Sequence, residues 1–530
     1  MQLSNKRAAV IGLARAGVPA ARFLLERGAQ VVGYDSKTRE QLSDEVLELE
    51  REGVELNLGE HDFENIESCD LVVLSPGLKV HFEPLKSVIE RVEHAGGEVI
   101  GELELASRFC PCPMIAVTGT KGKSTTVKLI TEMLLACGVK AVSAGNTGTP
   151  LISVLPQLSS NSWAVVEVSS FQLEKAPTFK PKIAVLLSLL EDHQDYHPTL
   201  EQYFETKLKI FANQDEWDDT AIFNVDDARV NDMMRSRKWP ASQVFGIATN
   251  HPEWAFYDGY FQDLEGHKIS FEDELDARRR EYARNLKKHG LNNSDLADRV
   301  AKQAVRPSDT YHPTLKWEDG ELFALGDFVI NADEIPLRGK HNQANLTVAM
   351  QAVVCAAGLE ETWVHWPKHA LPGVVQIADA IRNFQPLPHR LEIVARKDGV
   401  TYVNDSQSTI PDAAIAALKA FPAPVSLLLG GRAKIGSESY VGLMKTVKEV
   451  KAKIFLFGEA KEMLEEVAGR ENVEKLCIYR ENTLADALQL AKMNASSGET
   501  VVLSPACASF DQFSSYEERG ETFKRLAREP

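Results

Sequence analysis

The sequence predicts an α/β protein of three domains, each organised around a parallel sheet. Two observations carry this. Short β-branched runs alternate with helical patterns almost throughout the chain, the pattern of helices layered on parallel strands. At 530 residues the chain is also too long for one ordinary domain.

The first sheet opens with a strand at 7–12, a helix at 17–27 and a strand at 30–35. A further strand at 70–75 ends at Ser75-Pro76-Gly77. Gly12-Leu13-Ala14-Arg15-Ala16-Gly17 and Asp35 mimic a dinucleotide fingerprint, with the acid at the expected distance. Ala14 stands where the middle glycine would let a pyrophosphate approach, which weakens the reading of a nicotinamide-dependent oxidoreductase. A Rossmann-like domain over 1–104, holding another nucleotide-bearing substrate, fits better beside a separate ATP site.

The second system starts at 114–119 (MIAVTG) and continues through 163–168 and 183–188. Its first strand runs into Gly119-Thr120-Lys121-Gly122-Lys123-Ser124-Thr125, which opens a helix. Glycines let backbone amides wrap phosphate oxygens, and the helix N-terminus adds its positive end. Lys123 is placed to reach the β/γ-phosphates, and the Ser124 hydroxyl to ligate Mg²⁺. The common P-loop would put its first glycine at 117, where Val117 stands, so this loop is a variant. It predicts a central P-loop ATPase domain over 105–386 that binds ATP.

The third system starts near Pro388, with strands at 400–404, 425–430, 453–457 and 500–504, and predicts a C-terminal Rossmann-like α/β domain over 387–530. One segment fits none of the three sheets. Around 251–335 lies an insertion, densely charged over 272–306, with Leu275, Tyr282 and Leu286 at helical spacing and a turn at 290–293. It reads as a surface helical hairpin. The acids interleaved around Arg278-Arg279-Arg280 argue against a nucleic-acid patch.

The formal net charge of −17 opposes general affinity for nucleic acid or anionic membrane. The seven cysteines form no CxxC pair and read as reduced thiols; Cys110 and Cys112 have a spacing that does not suit a zinc knuckle. Arg15 and Arg22 interrupt the apolar N-terminus, so it reads as strand, turn and helix rather than a signal peptide. No run approaches the roughly 20 apolar residues that span a bilayer. A cytoplasmic protein is expected.

Metal chemistry is suggested by Glu167 at the end of a strand and by Glu191-Asp192-His193 just past another. With Glu167 and Ser124 on parallel strands of one sheet, these side chains converge at the carboxyl ends, where open α/β sheets bind ligands. Lys207, in the helical stretch YFETKLKIF, reads on its own as a solvated lysine.

Taken in order, SPG (75–77), GELELA (101–106), GTKGKST (119–125), GNTGTPL (145–151), EVSSFQLE (167–174) and EDH (191–193) resemble the Mur ligase family. KHNQANL (340–346), HR (389–390), NDSQST (404–409), GGRAK (430–434) and LSPACASFDQF (503–513) continue the likeness to the C-terminus. GELELA and SPACASFDQF look like the branch that adds D-glutamate. The resemblance implies ATP-dependent ligation of D-glutamate to UDP-N-acetylmuramoyl-L-alanine through an acyl phosphate, a step of peptidoglycan precursor synthesis carried out by a monomer with two magnesium ions. It implies that Gly119 to Thr125 hold the ATP phosphates, that Asn342 and Asn345 contact adenine, that Arg390 reaches phosphate and that Asp405 touches the nucleotide. Ser124 and Glu167 would share one magnesium, and His193 and a carbamylated Lys207 the second. Lys123, Glu167, His193 and Lys207 would carry the phosphoryl step. Asp35, Ser36, Lys37, Gly77, Asn146 and Thr147 fall where the UDP-sugar is bound, and Thr409, Lys434, Ser509, Phe510 and Tyr516 match the D-glutamate pocket. Gln407 departs from the family, which commonly carries lysine there. The nearest alternative, a folylpolyglutamate synthetase, shares the loop but does not need residues 1–104.

Overall fold

The computed structural model describes residues 2–59, 63–192, 196–215, 219–236, 239–241, 243–249, 260–262, 268–270, 315–318, 320–324, 327–337, 339–357, 374–473 and 478–529. The expected helical hairpin over 272–306 lies outside the described residues, as does His193.

The N-terminal sheet is wholly parallel. Its strands are β1 (Arg7–Ile11), β2 (Gln30–Asp35), β3 (Glu55–Leu58), β4 (Leu71–Leu74) and β5 (Glu98–Gly101), in the order β3-β2-β1-β4-β5. The order reverses beside β1, so the loops after β1 and β4 flank a crevice at its carboxyl end. Gly12 and Gly17 close that corner, because a Cβ on Gly17 would sit 1.8 Å from the Gly12 carbonyl oxygen. Ser75 donates to the same oxygen at 2.6 Å.

The middle sheet is also parallel, with β6 (Met114–Thr118), β7 (Lys140–Gly145), β8 (Ser162–Glu167), β9 (Ile183–Leu186), β10 (Thr220–Asn224) and β11 (Gln243–Ile247) in the order β11-β10-β9-β6-β8-β7. Strand β6 is central and entirely buried. Its side chains alternate between two cores. Met114 and Ala116 join the core that continues into the N-terminal domain. Ile115 and Val117 pack in a core with Leu346 and Val353 of the helix Lys340–Ala356.

Part of the insertion belongs to that second core. Strands β12 (Tyr260–Gln262) and β13 (Lys268–Ser270) pair antiparallel, and β14 (Leu315–Glu318), β15 (Glu321–Ala324) and β16 (Asp327–Asn331) form a three-stranded antiparallel sheet. Leu322 and Ile330 are fully buried against the middle domain.

The C-terminal sheet comprises β17 (Glu392–Lys397), β18 (Val400–Asn404), β19 (Val425–Gly430), β20 (Lys453–Phe457), β21 (Ile478–Arg480) and β22 (Thr500–Leu503), in the order β17-β18-β22-β19-β20-β21. It is mixed rather than purely parallel, because β17 and β18 form an antiparallel edge hairpin. Asp398 and Gly399 turn it with positive φ angles of 53° and 77°, the conformation a tight two-residue hairpin requires. Among the described residues, no helix is long and apolar enough to cross a membrane.

Candidate active site

Strand β6 delivers the phosphate loop. Gly119 and Gly122 take φ angles of 147° and 88°, which side-chain-bearing residues resist. Gly122 also has no room for a side chain, since a Cβ would lie 2.5 Å from Asn345 Oδ1. The helix Lys123–Ala136 begins immediately after it. Ser124 therefore stands in the first helical turn rather than on a strand, with its hydroxyl at the positive end of the helix. Lys123 Nζ donates to the carbonyls of Gly119 and Thr120 at 3.0 and 3.1 Å. Burial pulls its amine below the ordinary lysine value despite Glu167 nearby.

Glu167 ends β8, the neighbour of β6, and is 3% exposed. It accepts from Thr147 Oγ1 at 2.8 Å and Asn146 Nδ2 at 3.3 Å. Burial alone would raise its carboxyl; the Lys123 ammonium, the Ser124 hydroxyl and Arg390 outweigh it and hold the group below the usual carboxylate value. This is an ionised carboxylate surrounded by donors, in a site of hard oxygen atoms.

Lys207 lies on the helix Leu200–Leu208 and is 2% exposed, so the solvated reading is wrong for it. Its Nζ donates to Gly119 O at 3.1 Å and sits 4.5 Å from the centre of the Tyr203 ring. Burial, reinforced by the Lys123 charge, drives its amine well below the ordinary value. Asp192 is buried beside the same loop.

The C-terminal domain forms the opposite wall. Arg390 Nη2 donates to Ser124 Oγ at 3.0 Å, across 266 positions of sequence. Asp405, past the end of β18, accepts from Ser504 Oγ at 2.8 Å and Leu391 N at 3.2 Å; burial pushes its carboxyl up to about 6. Lys434 Nζ and Thr409 Oγ1 are 3.3 Å apart, and Gln407 Nε2 lies 3.4 Å from the Tyr516 hydroxyl.

Between these walls is a cavity of about 590 Å³. Thr120 to Lys123 and Thr125, Asn146, Thr147, Glu167, Asn342 and Asn345 line it from the middle domain, and Arg390, Asp405, Thr409, Lys434 and Tyr516 from the C-terminal domain. Ser509, Phe510, Asp35, Ser36, Lys37 and Gly77 are not in its lining. Ser509 is buried, whereas Phe510 is 61% exposed. Asp35 accepts from Leu13 N at 2.8 Å and Lys37 N at 3.0 Å, so its carboxylate braces the loop after β1. The Arg15 guanidinium crosses from that loop to the Asn146 carbonyl, linking the N-terminal crevice to the cavity wall.

Sequence reasoning missed three residues. His341 lines the cavity from an exposed position in the first turn of the helix Lys340–Ala356. Arg15 stands in the loop after β1, and nothing in the local sequence marks its reach to Asn146. Arg519 is fully buried and donates to Ser406 Oγ, Ser406 O and Cys507 O at 3.0, 2.8 and 3.1 Å, tying together the loops after β18 and β22. The sequence signal for the last was its place just beyond the LSPACASFDQF segment.

A phosphate loop with its lysine, an ionised carboxylate level with it, and a cationic wall from another domain together define a three-domain α/β protein built to handle a phosphorylated ligand. Residues 6–101 match the family model for the Mur ligase MurD-like N-terminal domain, 117–353 that for the Mur ligase middle domain, and 389–507 that for the Mur ligase glutamate ligase domain. The UDP-N-acetylmuramoylalanine–D-glutamate ligase of Pelotomaculum thermopropionicum is 34% identical over 99% of this chain and 97% of its own. The protein of the same name from Geotalea daltonii is 33% identical over 100% of this chain and 98% of its own. In fold, the chain is similar to the solved UDP-N-acetylmuramate-alanine ligase MurC of Thermotoga maritima, with a TM-score of 0.52, 13% identity and 99% of both chains covered. The chain belongs to the Mur ligase family.

Proposed function

We propose that this chain joins D-glutamate to UDP-N-acetylmuramoyl-L-alanine at the expense of ATP, through an acyl-phosphate intermediate, as a cytoplasmic monomer in peptidoglycan precursor synthesis. The observation that carries this reading is the single cavity onto which the phosphate loop and Arg390, Thr409, Lys434 and Tyr516 all face. Full-length relatives named for this ligation support the choice of substrates. The reading assigns residues 1–104 to the UDP-sugar, 105–386 to ATP and 387–530 to the amino acid.

A carboxylate resists attack by an amine in water, so it is first phosphorylated. The γ-phosphoryl group passes from ATP to a carboxylate oxygen of the acceptor, leaving ADP. The amine of D-glutamate then attacks the acyl carbon, loses a proton, and expels phosphate. Lys123 leaves the Gly119 and Thr120 carbonyls to meet the phosphates, while Arg390 neutralises charge from the opposite wall. Asn342 and Asn345 border the space for adenine, and Asp405 that for the rest of the nucleotide. Lys434, with Thr409, Ser509, Phe510 and Tyr516, receives the amino acid, its ammonium pairing with a carboxylate. Asp35, Ser36, Lys37, Gly77, Asn146 and Thr147 serve the UDP-sugar.

Magnesium fits this chain. Glu167 is held ionised and Ser124 offers a second hard oxygen, which suits one ion. His193 and Lys207 would serve another. Lys207 is driven toward its uncharged amine, the form that adds carbon dioxide to become a carbamate with oxygen ligands. When bound, such ions would neutralise charge on the phosphate oxygens.

The test is phosphate release from ATP and Mg²⁺ with UDP-N-acetylmuramoyl-L-alanine, comparing D-glutamate with L-glutamate, D-lysine and no amino acid. Release that requires both the sugar nucleotide and D-glutamate is expected. Failure of D-glutamate to support release overturns the assignment.

A further inference from the structure

Between the helix Glu102–Ser107, which closes the N-terminal domain, and β6, which leads to the phosphate loop, the chain reads Phe109-Cys110-Pro111-Cys112-Pro113. The two sulfur atoms are 3.7 Å apart, and the Cys110 sulfur is 3.4 Å from the Cys112 carbonyl oxygen. Cys112 is 9% exposed and joins the core beneath the link, whereas Cys110 is half-buried at its edge. Two prolines fix φ at 111 and 113, restricting the chain at and beside both cysteines. The cysteines thus face one another, and Cys110 is the more exposed residue of the two. None of the ligation chemistry uses them.

We propose that Cys110 and Cys112 form a dithiol that exchanges with low-molecular-weight disulfides and closes to a reversible intramolecular disulfide in the interdomain link. The Cys110 thiolate attacks one sulfur of an oxidised disulfide such as glutathione disulfide; that S–S bond breaks and one glutathione thiolate leaves and takes up a proton. Cys112 then loses its proton and attacks the Cys110 sulfur of the mixed disulfide, expelling the second glutathione thiolate. Two protein thiols are oxidised to one disulfide, and one glutathione disulfide is reduced to two thiols. The order follows from exposure.

Trypsin cuts after Arg108 and Lys121, so the peptide Phe109–Lys121 carries these two cysteines and no other. The folded full-length protein is incubated with glutathione disulfide, alkylated and mapped by mass spectrometry. The wild-type peptide is expected two hydrogens lighter, unalkylated and free of glutathione, and a reducing agent should restore two alkylatable thiols. Cys112→Ser should stop at the mixed disulfide on Cys110, and Cys110→Ser should leave Cys112 largely unmodified. A wild-type peptide that keeps both thiols, or carries glutathione on each, overturns the proposal. So does a Cys110→Ser variant that is glutathionylated at Cys112 as fast as the Cys112→Ser variant is at Cys110.

Discussion

Replacing Asp405 with asparagine should stabilise the protein at alkaline pH while impairing it as an enzyme. Its carboxyl is 7% exposed and raised from 3.8 to about 6, about two units and therefore about 3 kcal/mol. A carboxyl raised on folding holds its proton more tightly in the folded chain. Its contribution is fully favourable below about pH 4, is lost between about 4 and 6, and stays lost above that. Asparagine removes this dependence and keeps the geometry. Its oxygen can still accept from Leu391 N, and its amide can donate to the Ser504 hydroxyl, which rotates to accept. The hydrogen bonds that favour the charged carboxylate are already counted within that net rise. The gain at pH 8 is therefore at most about 3 kcal/mol, shrinking as the pH falls to 4.5. Urea midpoints followed by far-ultraviolet circular dichroism at the two pH values measure it, with phosphate release recording a loss of turnover of at least about tenfold. A stability difference that does not change with pH, or a wild type more stable at pH 8, refutes the reasoning.

Glu167→Gln keeps the hydrogen-bonding shape but removes the charge opposite Lys123; turnover should fall by about 100-fold or more with little change in melting temperature, read by phosphate release and calorimetry. Gly122→Ala forces an alanine to φ 88° and pushes Asn345 aside; it should cost about 1–2 kcal/mol of stability and raise the KM for ATP, which steady-state kinetics will report. Arg519→Met leaves three buried acceptors without their donor and should destabilise by about 3 kcal/mol, seen as a lower urea midpoint. The KM for D-glutamate should rise with it.

The phosphate loop was legible because the features that mark it are local: a buried strand, two glycines and a helix start within twelve residues. The apolar runs of β6, β8 and β9 announced themselves for the same reason, since strands buried on both faces need continuous hydrophobic sequence. Lys207 was not legible as a buried lysine, because the carbonyl that accepts its hydrogen bond lies 88 positions earlier. Arg519 likewise resembles any charged residue in an amphipathic helix until Ser406 and Cys507 are placed around it. The hairpin of β17 and β18 was legible and went unread: Asp398-Gly399 between two β-rich runs is a strong turn signal. The described part of the insertion shows the same lesson at larger scale. Charge dominates the stretch over 272–306, yet Leu322 and Ile330 nearby complete a core.

The way Val185 and Ile222 are covered has a temporal consequence for synthesis on the ribosome. They sit on β9 and β10, and their core partners Leu346 and Val353 emerge more than 100 residues after them. At typical elongation speeds of about 5–20 residues per second, this part of the central sheet waits roughly 5–30 s for the helix that covers it. The stretch over β6 closes earlier, because Leu129, Ile130 and Met133 of the helix Lys123–Ala136 belong to the same core. Chaperone occupancy during translation should therefore rise as β10 leaves the exit tunnel and fall once the helix Lys340–Ala356 has followed it.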